Sequence, residues 1–288
     1  MAQNTRPSTD ADCVVFAGAN TLTNARNLQA WIREKQLARN QIIAITSNEN
    51  DIEEGDQVLT LFYRKISIVP GASPVDNIQF NSFNNQQSWE KQEKAANDFK
   101  VSERRPDIIS VSRTPKNIGN ARCQTVWYTN EMGNPDTYSH LVSRKDGDWT
   151  ALASETHQWL NEHLPPHELL SVTMFEEAHP NQTGKIGALI THKAGPNPRR
   201  LSETPAGTNS FVSEGLYSME IVRHEETNGA VHAALQVINR KGGQEGHVVS
   251  TTNDSQQQDI FCVVYSWNAL YEAQLVDDLR PEGCCTIF

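Results

Sequence analysis

The stretch LQAWIREKQLARNQIIAITSNENDIEEGDQVLTLFYRK, residues 28–65, decides the fold. Its apolar residues change period along its length. Leu28, Trp31 and Ile32 lie three and four apart, the spacing that gathers side chains on one face of a helix. Ile42-Ile43-Ala44-Ile45 is a short apolar run bounded by polar residues, and residues 58–63 are a second, reached through a polar loop that holds Gly55. Runs of this length read as strands.

The same order of residues returns at 159–193. Trp159-Leu160 stands for Trp31-Ile32, Leu169-Leu170-Ser171-Val172 stands for residues 42–45, and residues 186–193 follow a Gly184 loop as 58–65 follow the Gly55 loop. The offset is 128 at the Trp, 127 at the first strand and 128 again at Lys65 and Lys193, a single one-residue slip. Fainter versions lie between and after. Trp89, Ala96 and Phe99 have helical spacing and precede Ile108-Ile109-Ser110-Val111 and residues 123–128. Val231, Ala234, Leu235 and Ile238 form the last helical stripe, followed by strands at 248–250 and 260–265. Opening strands are expected at 14–17, 78–83, 141–144 and 217–222. The period of roughly 60–80 residues exceeds that of a solenoid, about 20–50.

The expected fold class is therefore α+β, with four tandem strand-helix-strand-strand units in two pseudo-symmetric halves. A unit this small buries too little by itself, so two should join into an antiparallel sheet with helices on one face. With 288 residues, against a soft expectation of about 150 per domain, two domains follow. Residues 1–12 read as a disordered lead, 13–130 as the first pair, 131–137 as a linker, 138–267 as the second pair and 268–288 as a C-terminal helix and flexible tail. Asn24 reads as the N-cap of a helix over 25–35, Ser88 as that of one over 89–104, and Pro165-Pro166 as the stop of one over 149–163. Gly242-Gly243 ends the last helix.

The chain is 37% hydrophobic and 21% charged, with a net charge of −10. Nearly all of that charge lies beyond His140, with 10 Lys+Arg against 19 Asp+Glu. A binder of nucleic-acid backbone needs a cationic face, so nucleic acid is excluded as a partner. Residues 1–12 have no apolar core of a signal peptide, and no run approaches the ~20 apolar residues of a membrane span. Cys13, Cys123 and Cys262 sit among apolar neighbours in expected strands, which reads as buried reduced thiols and a cytoplasmic protein.

Most motif candidates resolve into structure. Gly18-Ala19-Asn20 lacks the further glycines and Lys of a phosphate loop. The acidic loop with Glu49, Asp51, Glu53, Glu54 and Asp56 lacks the spacing of a calcium loop. All nine histidines lie at or after His140, but Pro165-Pro166 separates His163 from His167, so they read as surface residues rather than zinc ligands. No nucleophile-and-base signature is present. No catalytic residue, metal or cofactor is assigned. Tyr63, Trp127, Tyr128, Tyr265 and Trp267 fall near the ends of third strands, where they pack the core or, for Tyr63, Trp127, Tyr128 and Tyr265, line a ligand pocket.

The sharpest signal is the end of the chain, Gly283-Cys284-Cys285-Thr286-Ile287-Phe288. It resembles a CaaX prenylation box with Cys285 as the prenylated thiol, and its terminal Phe points toward a geranylgeranyl group. Cys284 beside it is placed for a palmitoyl group, the second anchor that stable membrane attachment requires. Thr286-Ile287-Phe288 also resembles a class I PDZ ligand, which is exclusive of prenyl processing.

The strand-helix-strand-strand unit with its helix Trp and following hairpin also resembles, by topology, the modules paired in GyrI-like small-molecule-binding domains. That resemblance implies amphipathic ligands held between repeats, and in some members their hydrolysis. Three readings stay open. The first is a non-enzymatic binding or adaptor protein held at a cytoplasmic membrane face by lipid on Cys285. The second is a soluble small-molecule binder or hydrolase with a cleft between repeats. The third is a structural protein that self-assembles into oligomers through strand edges.

Overall fold

The computed structural model describes residues 11–18, 21–49, 57–65, 67, 71–75, 78–84, 95–96, 98–99, 106–118, 121–132, 137–164, 168–179, 182–193, 217–240, 247–253 and 259–266. The chain is α+β. It begins with β1 (Ala11–Gly18), α1 (Thr21–Lys35), β2 (Ile42–Glu49) and β3 (Gln57–Arg64). Next come β4 (Ile78–Asn84), β5 (Pro106–Ile118) and β6 (Ala121–Met132), with helical residues at 95–96 and 98–99. Then follow β7 (Thr137–Arg144), α2 (Trp149–His163), β8 (Leu169–His179) and β9 (Gln182–Lys193). The last described group is β10 (Tyr217–His224), α3 (Thr227–Arg240), β11 (His247–Asn253) and β12 (Asp259–Ser266).

Helix starts follow local chemistry. Asp148 caps α2, its carboxylate accepting from the Thr150 and Ala151 amides at 2.9 and 3.0 Å. Asn24 does not cap α1 as its sequence position suggests. The helix begins at Thr21, and the Asn24 side chain, 3% exposed, turns back to donate to the Gly18 carbonyl at 3.1 Å. An Asn one turn inside a helix can serve the preceding strand as well as its own backbone, and here the strand end wins. The residues of the expected 89–104 helix lie mostly outside the described ones.

The strands form four antiparallel three-stranded sheets, ordered β1-β3-β2, β4-β6-β5, β7-β9-β8 and β10-β12-β11. In each, the third strand is central and the second strand forms an edge. The registers match closely. Tyr63, Tyr128, His192 and Tyr265 stand opposite Ile42, Ile108, Leu169 and His247, at or within two residues of the start of their second-strand ladders. Bulges fall between Ile42 and Ala44, Ile108 and Ser110, and Leu169 and Ser171. A bulge bends the strand that carries it.

The expected extended sheets do not form. The second strands gather instead at the centre, β2 beside β5, β5 beside β8, β8 beside β11 and β11 beside β2. Their outer edges are thereby buried, and a buried backbone N–H or C=O without a partner is costly. Hydroxyls supply partners where no ladder forms. Ser110 Oγ donates to the Ile45 carbonyl at 2.9 Å, and Thr173 Oγ1 donates to the Val111 carbonyl at 2.7 Å. Ser171 Oγ accepts from the Val111 amide at 3.3 Å, and Ser250 Oγ accepts from the Met174 amide at 2.8 Å. Ser110, Ser171, Thr173 and Ser250 are all buried.

Nor do the helices lie on one face of the sheets. Leu28 and Ile32 of α1 pack on Leu59 and Leu61 of their own sheet and on Ile78 and Trp127 of the next. Leu152 and Leu160 of α2 pack on Ala188 and Ile190, and also on Tyr217 and Val264. Val231, Ala234 and Ile238 of α3 pack on Phe261 and Val263, and then on Ala11 and Phe62 of the first sheet. The first sheet is thus covered on both faces, by α1 and by α3. The two halves therefore do not have separate cores. Each large apolar side chain buried in this way contributes roughly 1.5–3 kcal/mol.

Side-chain amides tie each described helix to the start of the following sheet. Gln29 donates to the Ile78 carbonyl at 2.6 Å, and Asn161 accepts from the Tyr217 amide at 2.9 Å. Asn239 accepts from the Ala11 amide at 2.7 Å and donates to its carbonyl at 3.2 Å, across 228 residues of sequence. Thr173→Val keeps shape at the centre but leaves the Val111 carbonyl with only the longer Ser171 hydroxyl contact, at 3.4 Å. It should lower stability by about 1–3 kcal/mol in urea unfolding, with an unchanged denaturant slope.

Candidate functional site

One corner of the third sheet concentrates aromatic and titratable groups. The alternation of β7 puts Tyr138, His140, Val142 and Arg144 on one face, and the spacing of α2 puts Glu155, Trp159 and His163 four apart on one stripe. The two rows meet. His140 stacks on Trp159 at 4.2 Å between ring centroids and 8° between planes. His163 lies nearly parallel to the same indole at 5.2 Å and 12°, and His192 of β9 tilts toward it at 5.9 Å. Tyr138, 53% exposed, stacks on His192 at 6.1 Å. At the other end of the row Arg144 pairs with Glu155 and Asp146.

The position is built alike elsewhere but filled differently. In the first sheet Trp31 meets Tyr63 edge-on at 5.1 Å, and in the second Phe99 meets Tyr128 at 5.0 Å. An aromatic from the helical segment thus meets an aromatic at the same register of the third strand in all three. Only the third sheet surrounds that contact with imidazoles, since Val14 stands where His140 does and Tyr63 where His192 does.

The electrostatics follow from crowding. His163 Nδ1 lies 3.0 Å from the Trp159 carbonyl and His192 Nδ1 lies 2.9 Å from the Lys193 carbonyl. A carbonyl only accepts, so both neutral rings carry their proton on Nδ1 and keep Nε2 as the basic nitrogen. Burial lowers the pKa of His140, and the nearby His163 and His192 lower it further. Two imidazoles stack on one indole and the third tilts toward it, instead of converging on a point. Among the described residues no group of three or more His, Cys, Asp or Glu is placed to hold a metal ion. The corner offers a flat π surface that gains positive charge on acidification.

No family model, curated protein or solved structure matches the chain.

The residues singled out from sequence are dispersed. Trp127 is 1% exposed and belongs to the core between the first and second sheets. Tyr63 and Tyr128 are half-buried in separate clusters, and the Tyr265 side chain, Trp267, Cys284 and Cys285 lie outside the described residues. Cys13 is a free thiol packed at the edge of the core between α3 and the first sheet, its pKa raised by burial and by Asp12. The side chains of Cys123 and Cys262 are not among those described. His157 does not join His163. Its Nε2 reaches the Tyr217 carbonyl at 2.7 Å and serves the α2–β10 tie.

Two further features border the site. Ser143, Arg144, Lys145, Asp146 and Glu155 line an open depression of about 370 Å³. Its Asp146 carboxyl is lowered to about 2, chiefly by hydrogen bonding with Arg144. In the interior, Gln124 on β6 is fully buried, and among the described residues neither of its amide atoms has a hydrogen-bond partner. Leu59 holds the matching register in the first sheet. Gln124→Leu should therefore raise stability by about 1 kcal/mol in a urea melt, the reverse of most core substitutions, because a desolvated amide is removed.

Proposed function

We propose that the chain is a non-enzymatic binding or adaptor protein, made of four copies of one strand-helix-strand-strand unit and tethered at a cytoplasmic membrane face by lipid on Cys285. The shared strand order, the bulge at one place in three second strands and the aromatic pair at one register in three sheets support the fourfold origin. The observation that carries binding over catalysis is the use of the central hydroxyls. Where the four second strands meet, Ser110, Ser171, Thr173 and Ser250 are committed to backbone groups of neighbouring strands. They hold the fold together and are occupied as nucleophiles. The half-exposed Tyr138–His192–Trp159 stack offers a partner a contact surface of the kind that interfaces favour.

The tether rests on the sequence Cys285-Thr286-Ile287-Phe288, with Cys284 as the second acylation site. In a eukaryotic cell, Cys285→Ser should shift the protein from the membrane to the soluble fraction on centrifugation. Equal partition of variant and parent would remove the lipid anchor.

A second reading, a small-molecule binder or hydrolase with its cleft between repeats, is favoured by one observation. Among the described residues Gln124 and the fully buried Thr191 hydroxyl both lack partners, and they belong to the second and third sheets. Unpaired buried polar groups of this kind suit a polar ligand. Protection of those two residues by a bound metabolite, seen in the amide spectrum, would establish it over the adaptor reading.

A further inference from the structure

The imidazole corner of the third sheet does more than offer a surface. Trp159 and His163 lie in the last turns of α2, and the same turns carry the groups that hold the fourth sheet. Asn161 takes the Tyr217 amide at 2.9 Å, and His157 Nε2 donates to the Tyr217 carbonyl at 2.7 Å. Leu160 and Leu164 of this helix end pack in one cluster with Tyr217 and Val264. The stack on His140 therefore presses on the same helical turns that join the third and fourth sheets.

We propose that this corner is an acid-responsive latch, in which proton uptake by His140 drives it off Trp159 and loosens the end of α2 from β10.

The groups facing His140 make the response one-sided. From α2 it meets His163, and from β9 it meets His192, and both add to burial in disfavouring a charge on His140. On its own strand, Arg144 is the next charged group on that face, already paired with Glu155 and Asp146. Lys193 alternates to the other side of β9 from His192. On α2, Glu162 is held by Gln158 at 2.8 Å. Among the described residues none of the three imidazoles has an acidic partner. A proton on His140 would gain a cation–π contact with Trp159, but burial and the neighbouring His163 and His192 outweigh it and disfavour the charge.

The direction of the effect follows from linkage. His140 binds its proton less readily in the closed corner than in an opened one. The latch is therefore fully closed above the ordinary imidazole range. It weakens as pH falls through that range, by up to about tenfold in the closed-to-open ratio per pH unit.

Hydrogen exchange on the full chain tests this, with rates corrected for intrinsic pH dependence. Between about pH 7.5 and about pH 5, amides at 160–164 and at Tyr217 should lose protection, while those of α1 hold theirs. His140→Phe keeps a ring on Trp159 and removes the proton site, and it should abolish the loss. His140→Gln gives the same readout should the Phe variant fail to fold. Unchanged protection in the parent, or an equal loss in the folded variant, would overturn the proposal.

Discussion

A sheet edge buried away from water is the constraint on which this architecture depends. Each three-stranded sheet ends in a second strand with one unpaired side, and the four such sides face one another at the centre. Water cannot satisfy them there, and the strands do not join into a continuous ladder. Serine and threonine hydroxyls supply the link, because a hydroxyl both donates and accepts and is short enough to reach a neighbouring main chain. Ser171 and Thr173 together hold both the amide and the carbonyl of Val111. Apolar packing supplies most of the gross stabilisation. The hydroxyls decide which strands may lie together at the middle.

The same constraint sets where the helices go. With their inner edges turned to the centre, neighbouring sheets diverge outward, and each described helix fills the gap between its own sheet and the next. The sequence accordingly needs apolar residues on both faces of the central strands. In β3, Leu61 and Phe62 are both fully buried, one in the cluster with α1 and the other in the cluster with α3. Near-continuous apolar runs such as residues 58–63 are what such a position demands. Because the last described helix packs on the first strand, the final contacts join residues far apart in sequence, a topology associated with slow folding.

Much of this was legible in the residues. Period changes located the helices and strands, with α2 matching at both ends, and the 128-residue offset aligned Trp31 with Trp159, which do occupy like positions against the third strand. Other features were hidden because they depend on partners far away in sequence. Ser110 and Ser171 read as polar residues inside apolar strands, and only the packing of four sheets assigns them a task. The expectation of helices on one face failed because the sheets do not join. Asn24 carried the signature of a cap, yet the helix starts three residues earlier at Thr21, and the Asn24 amide donates to the Gly18 carbonyl instead. The imidazole corner was missed because His140, His163 and His192 are scattered along the chain. Strand alternation at Tyr138 and His140, set beside the helix stripe of Trp159 and His163, was the signal that could have joined them.

The contact between Asn239 and Ala11 has a consequence for how the gene could be rearranged. The seam between the last and first sheets uses the same devices as the others, an amide from a helix to the start of a strand and apolar side chains shared across the gap. A circular permutant that joined the old ends through a linker and opened the chain in another interval between sheets would keep every one of these pairings.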